Sequence, residues 1–336
     1  MDSSTTVKRF CFIGHVDHGK STCSGHLYKL CGQIDDHEFK KIQKYCKDTG
    51  KMRQLYSIIF DTDDAERERG KTHEFNEAVI KYQNKEFILV DTPGHSTFIR
   101  SMIEGISGQS KEMIACLLVS ASMDEFEAGW NKGQTREDIL IARSVGILDL
   151  IVLVNKMDLV GWEEAAYNAI VARMRDLIAS CRFNSVVYVP VSGYDGVGLV
   201  DTVGIPEWYT GPSLLQAIDR IKPKADSEVS KSLSLPTWTS AIVDARFFIR
   251  DVFVSLGFQC IMHYGGKEYP ISIERIFKTD ADGKHQAVNM VKDIKQKYRL
   301  VIKSEELVTT DENTNRSIFR YQRQTLGYGL IDKVIM

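Results

Sequence analysis

Phe10-Cys11-Phe12-Ile13-Gly14-His15-Val16-Asp17-His18-Gly19-Lys20-Ser21-Thr22 decides how the rest of this chain is read. The apolar run Phe10 to Ile13 predicts a buried strand. The stretch that follows fits G-x-x-x-x-G-K-[ST], a phosphate-binding loop. Gly14 and Gly19 permit backbone conformations that side chains block, so successive N–H groups can turn inward onto phosphate oxygens. Lys20 adds a point charge beside the β- and γ-phosphates, and the Ser21 hydroxyl is placed to ligate Mg²⁺. A helix expected from Thr22 to Leu30 points its positive N-terminal end at the same anion.

Downstream, strands are expected at Glu77 to Tyr82 and Glu86 to Val90, and the second delivers Asp91-Thr92-Pro93-Gly94-His95. An acidic residue ending an apolar strand and followed by a glycine suits a nucleotide switch. The Asp91 carboxylate can hold Mg²⁺ through water, and the Gly94 N–H can contact a γ-phosphate. Taken alone, D-x-P-G is also a common turn. Met113 to Ala121 and Leu148 to Val154 are further apolar strands, separated by an amphipathic helix over Gln134 to Val145. The second ends in Asn155-Lys156-Met157-Asp158. An Asp carboxylate at this spacing accepts the two hydrogen bonds that guanine offers from N1–H and its 2-amino group. Adenine lacks that donor pair and is rejected because buried groups would stay unpaired. The Asn155 amide can serve the other base edge, and the Lys156 stem can lie along the ring. A last strand, Val186 to Val191, leads to Ser192-Gly193, where a backbone N–H can meet guanine O6. Leu214 to Ile221 reads as a closing helix.

Between the phosphate loop and these strands lies a charged, helical insert over residues 34–60, with Phe39, Ile42, Tyr45 and Cys46 expected on one face. Strand–helix alternation over residues 7–221 argues for a mostly parallel α/β sheet with its ligand at the strands' C-terminal ends. The Pro- and Ser-rich stretch 222–236 is a linker. Beyond it short β-rich runs recur from Ala241 to Ile335 with no helical pattern, which suggests a closed barrel or a sandwich. His263 and His285 in this part read as ordinary histidines rather than ligands.

The bulk properties are those of an ordinary globular chain: 336 residues, 43% hydrophobic, 26% charged, formal net charge −2. That balance implies no strong overall attraction to nucleic acid or an acidic membrane; such binding needs a local basic patch. The 7 cysteines are scattered and form no C-x-x-C pair, which argues for reduced thiols in a cytoplasmic protein over zinc or disulfides. No secretion signal or membrane span is read in the chain.

GHVDHGKST, ERERGKT (Glu66 to Thr72), DTPGH, EFEAG (Glu125 to Gly129), GQTRE (Gly133 to Glu137), NKMD and SGYDG (Ser192 to Gly196) stand in the order and spacing of the elongation factor 1-alpha group. The chain resembles this group of translational GTPases, which includes termination and ribosome-rescue relatives. The resemblance implies an α/β P-loop GTPase domain over 1–221, the linker, and one all-β barrel over 237–336 that is similar to the family's last barrel. It implies GTP/GDP and Mg²⁺ as ligands. Gly14, Asp17, His18, Gly19, Lys20, Ser21, Thr22 and Gly94 would hold the phosphates, and Asn155, Lys156, Asp158, Ser192, Gly193 and Tyr194 the base. Ser21, Thr72 and Asp91 would serve the metal, and His95 would position the attacking water. Partners implied are the ribosome with tRNA or a tRNA-mimicking protein, acting on a monomer away from membranes.

Two departures qualify the resemblance. There is room for one barrel where the family has two, the middle one missing, which puts ordinary delivery of aminoacyl-tRNA in question. A GTP-binding regulator or decoy of translation, and a termination or rescue GTPase, are therefore alternatives. Lys71-Thr72-His73 stands where the family has Ile-Thr-Ile. A charged Lys71 would stay solvated rather than form an apolar gate with Val16, so the gate is expected to be loosened.

Overall fold

The structure is a computed structural model describing residues 7–61, 77–90, 113–131, 134–144, 147–181, 183–221, 237–247, 252–264, 267–280, 282–293, 296–309, 315–322 and 324–335. It divides into two compact units: one holds most described residues before 222, the other those from 237 onward together with Ile139–Ile147.

The first unit is built on a six-stranded sheet. Its strands are β1 (Lys8–Ile13), β2 (Glu77–Tyr82), β3 (Lys85–Val90), β4 (Met113–Ser120), β5 (Asp149–Asn155) and β6 (Ser185–Pro190), in the order β2-β3-β1-β4-β5-β6. Only β2 runs antiparallel, against β3; the other neighbouring pairs are parallel. Every residue of β4 is buried, as a central strand covered on both faces requires. Strand β1 lies between β3 and β4, so the chain changes direction across the sheet at β1, the place where such sheets leave a crevice at the strands' C-terminal ends.

The described helices are α1 (Lys20–Leu30), α2 (Asp36–Asp48), α3 (Ser57–Asp61), α4 (Met123–Asn131), α5 (Gln134–Ser144), α6 (Glu164–Cys181) and α7 (Leu214–Arg220). Helix α1 begins two residues before the expected Thr22, because Gly19 takes a left-handed conformation and acts as its N-cap. Helices α4 and α6 were not expected as elements. In α2 the Asp35 carboxylate caps the first turn, accepting from the His37 and Glu38 N–H groups at 2.7 Å each. Ile42 and Cys46 are buried as expected, but Tyr45 is 50% exposed. Its position on the turn falls beside the buried stripe rather than on it, which corrects the expectation of one shared face.

The second unit is a barrel. Its strands are β7 (Thr237–Phe247), β8 (Gln259–Tyr264), β9 (Lys267–Thr279), β10 (His285–Val288), β11 (Lys297–Thr309), β12 (Arg316–Tyr321) and β13 (Gln324–Ile335). The order β9-β11-β7-β13-β12-β8 closes on itself because β8 also pairs with β9. The first half of β9 pairs with β8 and its second half with β10, so one long strand completes the ring and carries a short seventh strand. Alternation along β7 puts Trp238, Ala241, Val243, Ala245 and Phe247 in the interior. The choice left open between barrel and sandwich is thereby settled. Gly327 lets β13 approach β7, since a Cβ there would fall 2.1 Å from the Arg246 carbonyl oxygen. Among the described residues no helix is long and apolar enough to cross a membrane.

Candidate functional site

The loop after β1 turns where the glycines allow it. Gly14 has φ +133° and Gly19 φ +88°. A Cβ on Gly14 would lie 2.4 Å from the Leu118 carbonyl oxygen, and one on Gly19 2.6 Å from the Asn155 amide nitrogen. Both positions therefore exclude side chains by conformation and by space. Lys20 Nζ donates to the carbonyl oxygens of Gly14 (2.6 Å) and His15 (3.0 Å), so the ammonium sits inside the curl of the loop. Asp17 and Ser21 are exposed and Thr22 half-buried. The Ser21 hydroxyl stands on the first turn of α1, where unpaired N–H groups attract anions. Loop and hydroxyl fit a phosphate carrying Mg²⁺.

The His18 side chain does not face this curl. Its ring is buried, with Nδ1 3.0 Å from the Leu118 carbonyl oxygen and Nε2 3.3 Å from that of Glu125. Burial lowers its pKa, with proximity of His15 and Lys20 acting the same way, and the two carbonyls oppose. The ring thus fastens the loop to β4 and α4, and the His18 N–H donates to the His15 carbonyl oxygen at 3.2 Å.

At the ends of β5 and β6 the base motifs meet this loop. The Asn155 side chain is buried; its amide donates to the His18 carbonyl oxygen at 2.8 Å, and its amide oxygen accepts from the Gly193 N–H at 2.8 Å. One side chain therefore ties the phosphate loop to the Ser192–Gly196 loop. The Gly193 N–H that the sequence offers to guanine O6 is in this structure donated to Asn155. Lys156 adopts a left-handed conformation, φ +64°, that sends the chain into a short 3-10 turn carrying Asp158. Its ammonium pairs with Glu125 at 2.7 Å. Burial alone would raise the Glu125 pKa, but hydrogen bonds from Lys156 and Ser120 outweigh it and the carboxyl ends below its ordinary range. The Ser192 hydroxyl is buried, donates to Asp195 and accepts from the Asp195 N–H, both at 3.1 Å, closing its loop. Tyr194 is exposed.

Sequence reasoning missed three residues that shape this site. His26 donates from Nδ1 to the Gly193 carbonyl oxygen at 2.9 Å, and Tyr56 stacks on its ring. Asp138 lies buried behind the loop, its Oδ2 without a hydrogen-bond partner among the described residues. Burial first, then Glu137, raises its pKa to about 7, against the Lys20 charge and the Gly14 N–H. No local motif marks these residues; each acts through a partner far away in sequence. Gly94, Thr72, Asp91, His95 and Lys71 lie outside the described residues.

Residues 5–224 match the family described as Elongation factor Tu GTP binding domain. The eukaryotic peptide chain release factor GTP-binding subunit of Kluyveromyces lactis is 37% identical over 233 residues, 67% of this chain and 33% of that protein. Elongation factor 1-alpha of Entamoeba histolytica is 38% identical over 239 residues, 70% of this chain and 53% of that protein. The match thus spans between a third and about half of these relatives. The GTPase-like domain of S. cerevisiae Ski7, bound to GDP and inorganic phosphate, superimposes with a TM-score of 0.72 at 14% identity, covering 96% of this chain and 97% of that one. Translation elongation factor SelB from Methanococcus maripaludis gives 0.63 at 16% identity, covering 100% and 81%. These two likenesses are of fold. On the extent of the family match, this chain belongs to the elongation factor Tu GTP-binding domain family.

Proposed function

We propose that this protein is a guanine-nucleotide switch that binds GTP and GDP, hydrolyses GTP with Mg²⁺, and acts on the translation machinery. The observation that carries the reading is the double hydrogen bond of Asn155, which joins the phosphate loop to the base loop. Such a bridge makes base and phosphate recognition one structure, as a nucleoside phosphate requires.

In this reading the Gly14–Thr22 backbone and Lys20 bind the phosphates, while Asp158 accepts the guanine N1–H and 2-amino donors. Lys156 lines the base, and the Ser192–Tyr194 loop lies at its O6 edge, with the Gly193 N–H held by Asn155. Ser21, Thr72 and Asp91 would hold Mg²⁺, which when bound neutralises charge between the β- and γ-phosphates. Gly94 would meet the γ-phosphate and His95 would orient the attacking water. Positioning and electrostatics of this kind suffice for phosphoryl transfer to water. The domain organisation proposed is a nucleotide domain over 1–221, a linker over 222–236 and a barrel over 237–336.

Likeness to a release-factor subunit and to elongation factors supports the ribosome as the proposed site of action. A second reading, in which the cargo is a tRNA-mimicking protein rather than tRNA, is favoured by the release-factor subunits among them. Calorimetry with GTP, GDP and ATP in the presence of Mg²⁺, followed by hydrolysis assays with and without ribosomes, tests both parts. The expected result is guanine-selective binding and ribosome-stimulated turnover. Equal affinity for ATP would overturn the base assignment; turnover indifferent to ribosomes would favour a regulator that binds without cycling.

A further inference from the structure

We propose that His26 is a positioning residue for guanine recognition, fixing the Gly193 peptide, and that Tyr56 of the helical insert holds it in place. His26 plays this part only if the chain binds guanine nucleotides as proposed.

The Gly193 peptide units are gripped from two sides. The N–H goes to Asn155 at 2.8 Å and the carbonyl oxygen to His26 Nδ1 at 2.9 Å. A Cβ on Gly193 would fall 2.5 Å from the Cys23 sulfur and 3.3 Å from the Asn155 amide oxygen, so the loop is wedged against α1 with no slack. Further along the loop, a Cβ on Gly196 would meet the His26 ring at 2.7 Å. The imidazole thus both bonds to and packs against the turn whose backbone faces the base.

Tyr56, just before α3, lies flat on His26, with ring centres 3.8 Å apart and planes 7° from parallel. Its backbone carbonyl presses on α1 where only glycine fits: a Cβ on Gly25 would come within 1.9 Å of it. The same ring meets Tyr194 edge-on at 6.2 Å. Tyr56 therefore touches both the residue that holds Gly193 and the residue that follows it. The insert, which carries no nucleotide motif, acts as a brace for the base loop. With His26 truncated, the Gly193 carbonyl loses a buried partner and the turn gains freedom, which weakens the base contact and leaves the phosphate loop with its own fastenings at His18 and Lys20.

The test compares wild type with His26→Ala, His26→Asn, Tyr56→Ala and Tyr56→Phe, each checked for folding by circular dichroism. GDP release is followed with a fluorescent GDP, and GDP and ADP affinities by competition. His26→Ala is expected to speed GDP release about tenfold, the scale of one buried hydrogen bond lost with its acceptor left unpaired. The GDP-over-ADP preference should fall by the same factor. His26→Asn, whose amide nitrogen takes the place of Nδ1, should return release to within about twofold of wild type. Tyr56→Ala should speed it about threefold through loss of the stack, and Tyr56→Phe should leave it unchanged. A folded His26→Ala protein that releases GDP at the wild-type rate overturns the assignment. So does an equal loss of GDP and ADP affinity, which would mean a collapsed phosphate loop. Should His26→Ala fail to fold, the contrast between Tyr56→Ala and Tyr56→Phe decides, and equal GDP release from those two overturns the assignment. Wild type that binds no GDP overturns the nucleotide reading and this role together.

Discussion

The two units bury polarity in opposite ways. In the α/β unit, buried polar side chains converge where the strands end: Ser120 closes β4, Asn155 closes β5, Ser192 follows β6, and His18 and Asp138 lie against the loop after β1. In the barrel an apolar cluster gathers around Trp238, Tyr298 and Phe319, its buried polar side chains (His263, Thr279, Ser304, Ser317 and Thr325) are spread singly over five strands, and the ion pairs of Asp244 with Lys297 and Arg299 lie on the outward positions of β7 and β11. An open parallel sheet leaves strand ends whose loops must find partners in one another, and that convergence makes a site. A closed ring satisfies its own backbone and fills its interior with side chains, so its few buried polar groups stay apart. The difference predicts that damage to the barrel core should cost the barrel stability without touching nucleotide binding, and that loss of a bridge in the strand-end network should cost binding without moving the barrel transition.

Trp238→Ala should give the largest effect. The side chain is 1% exposed in the barrel cluster, and truncations of this kind cost about 3–5 kcal/mol. The expected outcome is an earlier thermal transition for the barrel with GDP affinity unchanged. A comparable loss of GDP affinity would show that the two units are energetically one body.

Asp138→Asn should move stability in the opposite direction. The carboxyl is raised from 3.8 to about 7, chiefly by burial. Between those values the folded protein keeps a proton that the unfolded chain has released, so wild-type stability falls as pH rises from about 4 through 7 and levels off above. The amide removes that decline while keeping an oxygen for the Gly14 N–H. At pH 8 the variant should be more stable by up to about 4 kcal/mol, with the gap closing near pH 4. Melting temperatures across that range check the sign; a constant gap would mean that Asp138 does not titrate in this window.

Asn155→Ala removes the bridge itself. Two buried groups, the His18 carbonyl and the Gly193 N–H, lose their partner at once, and GDP affinity should drop about a hundredfold. The barrel transition should not move. Calorimetry with GDP and a thermal scan of the same sample distinguish this from general unfolding.

What could be read from the sequence divides along the same line. Strands were legible in both units because alternation and apolar runs are local: Glu77–Tyr82 was placed to the residue, and the region of recurring β-rich runs from Ala241 to Ile335 is the barrel, whose strands begin four residues earlier, at Thr237. The phosphate loop and NKMD were legible because their chemistry needs fixed residue types at short spacing. His26, Tyr56 and Asp138 were not, because what defines them is a partner on another element. His26 and Gly193 are 167 residues apart. The Lys20 charge, too, reaches Asp138 only once the sheet has formed. Helix α6 escaped for a different reason: its apolar residues are diluted by Ala and Asn on the outer face, so its period is faint. The missed Tyr45 orientation shows the limit of pattern reading at the margin of a stripe.

The smallest effect expected is that of Glu125→Gln, and it probes how EFEAG serves the base motif. Glu125 pairs with Lys156 at 2.7 Å, but the two side chains keep 40% and 24% exposure, so solvent screens the pair. A pair of this kind is worth about 0.5–1 kcal/mol, which corresponds to GDP release faster by about twofold to fivefold. The sign with pH follows from the depressed Glu125 pKa: the pair stabilises above the unfolded carboxylate value and is lost as pH falls through the folded one. Glu125→Gln should therefore differ from wild type at pH 7 and converge with it in acid, and raising the salt concentration at pH 7 should narrow the same gap. If the gap survives high salt, the Lys156 stem is being held by packing against α4 rather than by charge, and the base motif is braced by shape on this side as it is by His26 on the other.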